Sequence, residues 1–367
     1  MVLSGIGICM VVDLHCDNAI GLMTAFLPYE SFFLPMFIFI SGYFNKVDNR
    51  TDLFAYLKKK TKRLLVPYFL IAFATIFLEW AINSIKFGVA QPFTMENICV
   101  PIINIFTVGY PVLLSSPMWF VTALFLVQLV YALIKKPLYK KWNSIVAFVV
   151  FCLLNIGVVW FSKSFGTDDN FIFALQPLKC LFFLPFLELG ILYREKLEPK
   201  MDKIRAEWKL ILLILLPLLN VIRMMILPAA ADIRFESMYN LAGFTSPYWV
   251  TPIISSVIGI LFWVTVVDLI GSAFYSNRIV NALSENTFFI MGVHLVFINL
   301  VNCVLLAIHD HLTSIPGFDV DSFRNLTYYI WEKYPAFKLV YFIVGLGGTL
   351  LIKCLFDTGR QARHPKM

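Results

Sequence analysis

Charge is scarce in this chain: only 14% of its 367 residues are Asp, Glu, Lys or Arg, against roughly 25% in soluble globular proteins. That excludes an ordinary water-soluble domain. Alternation is missing too. Runs such as 64–85 and 208–227 are continuously apolar, which argues against a membrane β-barrel, whose strands alternate between lipid and lumen. Seven cysteines (Cys9, Cys16, Cys99, Cys152, Cys180, Cys303, Cys354) show no metal-ligand spacing, and most lie in or beside apolar runs. They read as small packing residues and exclude a disulfide framework. The first apolar run lacks a basic leader, so no cleavable signal peptide is expected. No internal repeat, direct or inverted, is visible, unlike many transporters built from duplicated halves.

What is abundant is hydrocarbon: 59% of residues are hydrophobic and 36 are phenylalanine. The fold class that follows is all-α, a polytopic integral membrane bundle in which each span satisfies its own backbone amides. About ten transmembrane helices are expected, at 3–14, 30–44, 64–85, 118–134, 143–161, 171–193, 208–227, 248–271, 285–308 and 337–356, the first two short. The chain reads as a single domain, 1–367, with a membrane core of about 3–356 and a short basic tail, 357–367. The net charge of +7 reports orientation rather than nucleic-acid binding. Alternate connections hold twenty-two Lys and Arg against six, so both termini and the Lys58–Arg63 cluster are expected in the cytoplasm. The partner composition implies is the lipid bilayer, and the location a cell membrane. The longest connections on the other side, 86–117 and 309–336, are rich in apolar, aromatic and proline residues, and are expected to cap the bundle.

An ionisable side chain inside hydrocarbon costs about 2.5 kcal/mol or more, so it usually faces a polar interior. His15 and His294 are the prime candidates, each about 14 to 17 Å into its span at ~1.5 Å per residue, near the middle of a ~30 Å core. Each reads either as a functional group or as a buried histidine bonded to a neighbouring helix. Lys58, Lys59, Lys60, Lys62 and Arg63 form a dense basic edge, which either holds phosphates of an anionic co-substrate or anchors the helix. Lys179, Glu188, Arg223, Glu79, Asp13 and Asp268 are further ionisable groups in or near spans, and Glu188 is close enough to a helix end to snorkel. His309, Asp310 and His311 resemble a metal cluster only superficially, with no third ligand at a fixed spacing, so no metal is expected. His364 lies in the polar tail.

Several segments resemble a known family. Gly5–Ile8 with Val11–His15, then Phe33–Phe44 (FLPMFIFISGYF), Lys62–Phe69 (KRLLVPYF), Met118–Phe125 (MWFVTALF) and Asn286–His294 (NTFFIMGVH) are similar, in order, to the integral-membrane acyltransferase family 3. The resemblance implies a ten-helix enzyme that carries an acyl group, usually acetyl, from cytoplasmic acyl-CoA to a hydroxyl of a cell-surface or exported glycan. It implies that His15 is catalytic and that Lys60 and Arg63, with neighbouring Lys62, bind the acyl donor. His294 closes the last motif and is expected to share the catalytic site. Acetyl-CoA would be a co-substrate, with no tightly bound cofactor.

The chemistry suits those roles. A sugar hydroxyl is a poor nucleophile, and imidazole is the side chain best placed to accept its proton near neutral pH. Asp13, two residues away, points to another face of the helix, so Asp17 or a residue from another helix is expected to orient His15. Tyr110 offers a stacking face for a sugar, and Trp119 reads as packing. Two departures from the family pattern stand out: Ser4 where a base is usual, eleven residues before His15, and Phe33 where a histidine is common. They keep open an altered donor or a non-catalytic relative, while the intramembrane charges could instead serve as the pathway of a transporter or flippase for a lipid-linked sugar. The geometric expectation is that His15 and His294 face one interior cavity, open to the cytoplasm beside Lys60 and Arg63.

Overall fold

The computed structural model describes residues 2–48, 50–138, 142–164, 172–226 and 249–363, and every regular element among them is helical. Lys140, Lys141, Arg234, Tyr248, His364 and Lys366 lie outside the described residues. The chain opens with two short apolar helices, α1 (Val2–His15) and α2 (Phe33–Tyr43). Next, α3 (Leu53–Lys60) passes through a π-helical turn, Thr61–Leu65, into α4 (Val66–Phe87), and α5 (Glu96–Thr107) leads to a 3-10 turn, Leu113–Met118, and α6 (Trp119–Leu138). Then come α7 (Ser144–Ser164), α8 (Ile172–Leu192), a second π turn (Tyr193–Leu197), α9 (Glu198–Met201), α10 (Ala206–Ile226) and α11 (Thr251–Phe274). The last four are α12 (Arg278–Glu285), α13 (Thr287–His311), α14 (Val320–Asn325) and α15 (Lys338–Arg363).

Among the described residues, 7 helical segments are long and apolar enough to cross a membrane: Leu53–Phe87, Leu113–Leu138, Ser144–Phe161, Ala206–Ile226, Thr251–Gly271, Thr287–His311 and Pro335–Thr358. The expected span at 171–193 is α8, whose first side chains lie outside the described residues. The other two expected spans are too short. With 14 and 11 residues, α1 and α2 reach only about 21 and 17 Å of a ~30 Å core. The reason for α1 is local. Asp17 and Asn18 take positive φ of 53° and 51°, while the buried Asp13 carboxylate accepts the amides of Ile20 (2.8 Å) and Gly21 (3.0 Å). The chain therefore folds back directly after His15.

Helix packing depends on small residues and paired charges. At the α2–α8 crossing, a Cβ on Gly190 would sit 2.1 Å from the Phe39 carbonyl oxygen, and one on Gly42 would sit 1.9 Å from that of Leu187, so only glycine allows these backbones to touch. Glu188 does not snorkel. It is fully buried, taking a hydrogen bond from Tyr131 Oη (2.6 Å) and an ion pair from Lys135 (3.1 Å). Lys209 and Asp268 tie α10 to α11 at 2.5 Å, and Arg223 Nε donates to Asn220 Oδ1 at 2.9 Å. A charge removed from water is tolerated when it is paired in this way.

The 86–117 connection does more than cap. α5 runs back antiparallel to α4: Trp80 Nε1 donates to the Gln91 carbonyl (2.8 Å), the Leu114 amide to Glu79 (2.9 Å), Thr75 to Ser115 (3.1 Å) and Tyr68 Oη to the Gly109 carbonyl (2.8 Å). The segment therefore re-enters the bundle nearly to the foot of α4, irregular backbone that membrane depth allows only where protein surrounds it. Over it lies the 309–336 connection. Arg324 donates to the Lys86 carbonyl at 3.0 Å, the Lys86 ammonium stands 4.6 Å from the Phe323 ring centre, and Asn299 and Asn302 hold the carbonyls of Thr327 (2.9 Å) and Tyr329 (2.8 Å). Asp319 caps α14 through the Ser322 amide and hydroxyl, and those hydrogen bonds hold its carboxyl below the usual carboxylate range.

Candidate active site

His15 is the last residue of α1, and His294 lies two turns into α13. Gly292 sets the level of the second ring. A Cβ there would lie 2.5 Å from Met118 Sδ and 2.8 Å from Ile71, so glycine lets α13 close onto α4 and onto the re-entrant turn. The two imidazoles meet with ring centres 5.0 Å apart and His294 Nε2 3.0 Å from His15 Nδ1.

Their protonation pattern follows from a third group. His294 Nδ1 lies 2.8 Å from the Ile290 carbonyl oxygen, which only accepts, so Nδ1 carries the hydrogen. In a neutral ring Nε2 is then an acceptor, and His15 Nδ1 must donate to it. That leaves Nε2 of His15 without a hydrogen and able to accept one. Both nitrogens of His294 are occupied, and neither is left for a substrate.

His15 lines a small cavity of about 90 Å³ together with Phe33, Ser116, Pro117, Trp119 and Tyr328. The Tyr328 ring stacks on His15 with centres 5.4 Å apart and planes 20° apart, and its hydroxyl is hydrogen-bonded to Ser116. Buried Lys179 stands behind the wall, its ammonium 4.2 Å from the Trp119 ring centre. His294 is absent from the cavity wall. The two histidines are thus brought together, but one stands behind the other. The expected closeness of the two rings is present, while the cavity lining includes His15 and not His294, whose nitrogens are taken up by the Ile290 carbonyl and His15.

The basic residues are elsewhere. Lys60 ends α3, half-buried with its ammonium 5.2 Å from the Tyr56 ring centre, while Lys62 and Arg63 are exposed on the π turn. None of the three lines the cavity, which corrects the expectation that it opens beside them. Arg63 and Ile71, which touches Gly292, are separated by eight residues, about 12 Å of helix. The backbone turn Leu113–Met118 and the buried Trp119 and Phe120 stand beside the cavity instead.

Other expectations resolve plainly. Asp17 pairs with Lys338 and does not orient His15. His309 Nδ1 accepts the Ile315 amide at 3.0 Å and staples the cap, and no grouping of three potential metal ligands occurs among the described residues. Tyr110 is 3% exposed and stands away from the histidines, in the wall of a separate cavity between α4 and α5. Ser116 and Tyr328 were not singled out from the sequence. Ser116 had a weak signal in the Ser-Ser-Pro that precedes the Met118-Trp119 motif, and Tyr328 had none. Phe33, noted only as a departure, forms part of the cavity wall.

No curated protein and no solved structure matches the chain. A family model does: that of acyltransferase family 3, described as an acyltransferase domain, matches residues 2–356. It spans the short helices, the re-entrant turn, the cap and both histidines. The chain therefore belongs to acyltransferase family 3, as an acyltransferase and a multi-pass integral membrane protein.

Proposed function

We propose that the chain transfers an acyl group, most simply acetyl, from cytoplasmic acyl-CoA to a hydroxyl of a cell-surface or exported glycan, with His15 as general base. The observation that carries this reading is the His15 Nδ1 contact with His294 Nε2 at 3.0 Å in a residue that lines a small cavity, from which it follows that Nε2 of His15 is free to accept a proton. That nitrogen takes the proton of the acceptor hydroxyl as the oxygen attacks the thioester carbonyl carbon. A C–O bond forms and the carbonyl electrons move onto oxygen. Collapse of the intermediate breaks the C–S bond, and the imidazolium returns its proton to the departing CoA sulfur. Ser116 and Tyr328 share one hydrogen bond, which leaves one hydroxyl hydrogen of the pair to donate where negative charge develops. His294 is a positioning residue that fixes the tautomer.

The charge bias puts the Lys58–Arg63 end in the cytoplasm. There Lys60, Lys62 and Arg63 would hold the CoA phosphates, and the slim, uncharged pantetheine arm would cover the ~12 Å from Arg63 to the level of the histidines. Changing Lys60 and Arg63 together to Gln should raise the acyl-CoA concentration needed and leave the rate at saturation largely intact. A cavity of about 90 Å³ suits a two-carbon acyl group. Phe33 in its wall favours a second reading, a family member that binds its ligands without transferring. Purified protein with radiolabelled acetyl-CoA and a panel of glycans decides between them. Labelled glycan with an equal yield of free CoA is the expected result, and neither product under any condition would support the second reading.

A further inference from the structure

Away from the histidines, α4 and α5 form a polar groove. On α4, residues Ile76, Glu79, Trp80 and Asn83 recur at helical spacing and share one face. On α5, Glu96, Asn97, Val100 and Asn104 do the same. A cavity of about 430 Å³ lies between the two faces, and a neighbouring one of about 500 Å³ shares Trp80, Asn83 and Asn97 with it. They adjoin at these three side chains as a two-part trough, each part in the ~300 to 1,000 Å³ range of small-molecule sites.

Its chemistry is specific. Asn97 uses Oδ1 to hold the Thr94 amide (2.8 Å) and hydroxyl (2.9 Å), which leaves its Nδ2 donors. Asn104 donates Nδ2 to the Pro111 carbonyl (3.2 Å), which leaves Oδ1 as an acceptor. Asn83, on the facing helix, contributes a whole amide. Donors and acceptors are thus interspersed, as a hydroxyl requires, since it does both. The Trp80 ring is fixed by its bond to Gln91 and by Phe93, edge-on at 5.6 Å. A fixed indole presents a flat apolar surface to the C–H face of a pyranose ring. The lining holds two carboxylates, Glu79 and Glu96, and no lysine, arginine or histidine.

The trough also leads to the site. Leu113 lies at its end and Ser116 lies in the His15 cavity. Both belong to one short segment, Leu113–Met118, which kinks at Ser115 and sets them three residues apart. Glu79 pins this wall through the Leu114 amide. Trp80 and Asn83 stand about 26 to 30 Å along the helix from Arg63, so the trough opens toward the opposite end of the bundle from the basic cluster.

We propose that this α4–α5 trough binds the acceptor, that the acceptor is a neutral, hydroxyl-rich saccharide, and that Glu79 and Glu96 turn acidic saccharides away. The assignment of this ligand as acceptor rests on the acyl-transfer reading; the binding of a neutral saccharide does not.

The test therefore uses no acyl-CoA. Saturation-transfer NMR on the detergent-solubilised full chain would compare neutral oligosaccharides (maltotetraose, mannotetraose, chitotetraose) with tetragalacturonate. Wild type should bind at least one neutral member and bind tetragalacturonate at least ten-fold more weakly. Asn83→Ala should weaken the neutral ligand five-fold or more, and Glu96→Lys should narrow the gap to the acidic one. The proposal is overturned if no neutral member binds, if tetragalacturonate binds better, or if Asn83→Ala, shown folded by its unchanged melting temperature, binds as wild type does. Binding without any acyl transfer would sink the enzymatic reading and leave the trough standing. Transfer whose glycan KM is unmoved by Asn83→Ala and Glu96→Lys would do the reverse.

Discussion

Replacing His294 by leucine removes the acceptor that holds His15 in its productive tautomer. The geometry sets the size of the effect. In the native site the His15 Nδ1 hydrogen points at His294 Nε2, 3.0 Å away. Without that acceptor, a buried donor is left unpaired, which costs about 1 to 3 kcal/mol. Moving the hydrogen to Nε2 avoids that cost, and in that form the imidazole cannot act as a base. The productive form should therefore fall by roughly 5- to 150-fold at ~1.4 kcal/mol per factor of ten. The expected signature is a drop of that size in kcat for acyl transfer with little change in KM for acyl-CoA. His294→Gln, whose side-chain oxygen reaches a similar position and can accept, should recover much of the rate. His15→Ala and the His15→Ala, His294→Leu double variant should be equally inactive, because the second residue acts only through the first. Wild-type kcat in a folded His294→Leu protein, or a Gln variant no better than Leu, would refute the tautomer argument.

Gly190→Ala puts a methyl group 2.1 Å from a backbone oxygen of α2 and 2.6 Å from the Tyr43 amide nitrogen. Both neighbours are main chain, so α2 has to shift, at about 1 to 3 kcal/mol; thermal unfolding in detergent should show a lower melting temperature for this variant than for Gly157→Ala, where a Cβ meets nothing within 4 Å. Tyr328→Phe keeps the ring that stacks on His15 and deletes the hydroxyl bonded to Ser116. Turnover should fall by about ten-fold or more, toward the 10² range of a lost oxyanion donor, with the protein as stable as wild type to within a few degrees. Kinetics and a melting curve on the same preparation check both halves.

The histidine pair was legible because the sequence places two imidazoles in apolar runs, where a polar group needs a partner, although 279 residues separate them. Which of the two faces the cavity was not legible. That depends on the Ile290 carbonyl and on Gly292, two residues before His294, both of which look like ordinary helix in sequence. The short first helix was legible in its length, but what ends it was not: the Asp13 carboxylate closes the turn after the helix, and in sequence it looks like one more charge near a span. Re-entry of the 86–117 connection was hidden for another reason. The hydrogen bonds that pull it inward come from Tyr68, Thr75 and Glu79, on a helix whose apolar character dominates the pattern. Ser116 and Tyr328 are 212 residues apart and lie in connections with no shared motif, so only tertiary structure joins them. The basic cluster was plain as charge. Its distance from the cavity came only with the packing of α13 on α4.

The central claim is that His15 Nε2 takes the acceptor proton. Its most direct test is acyl transfer from radiolabelled acetyl-CoA by purified His15→Ala, with insertion and folding matched to wild type by size-exclusion profile and melting temperature. The account predicts a loss of about 10² to 10⁴ in kcat, with acyl-CoA still bound at close to the wild-type affinity. Transfer at the wild-type rate by a correctly folded His15→Ala protein would contradict it.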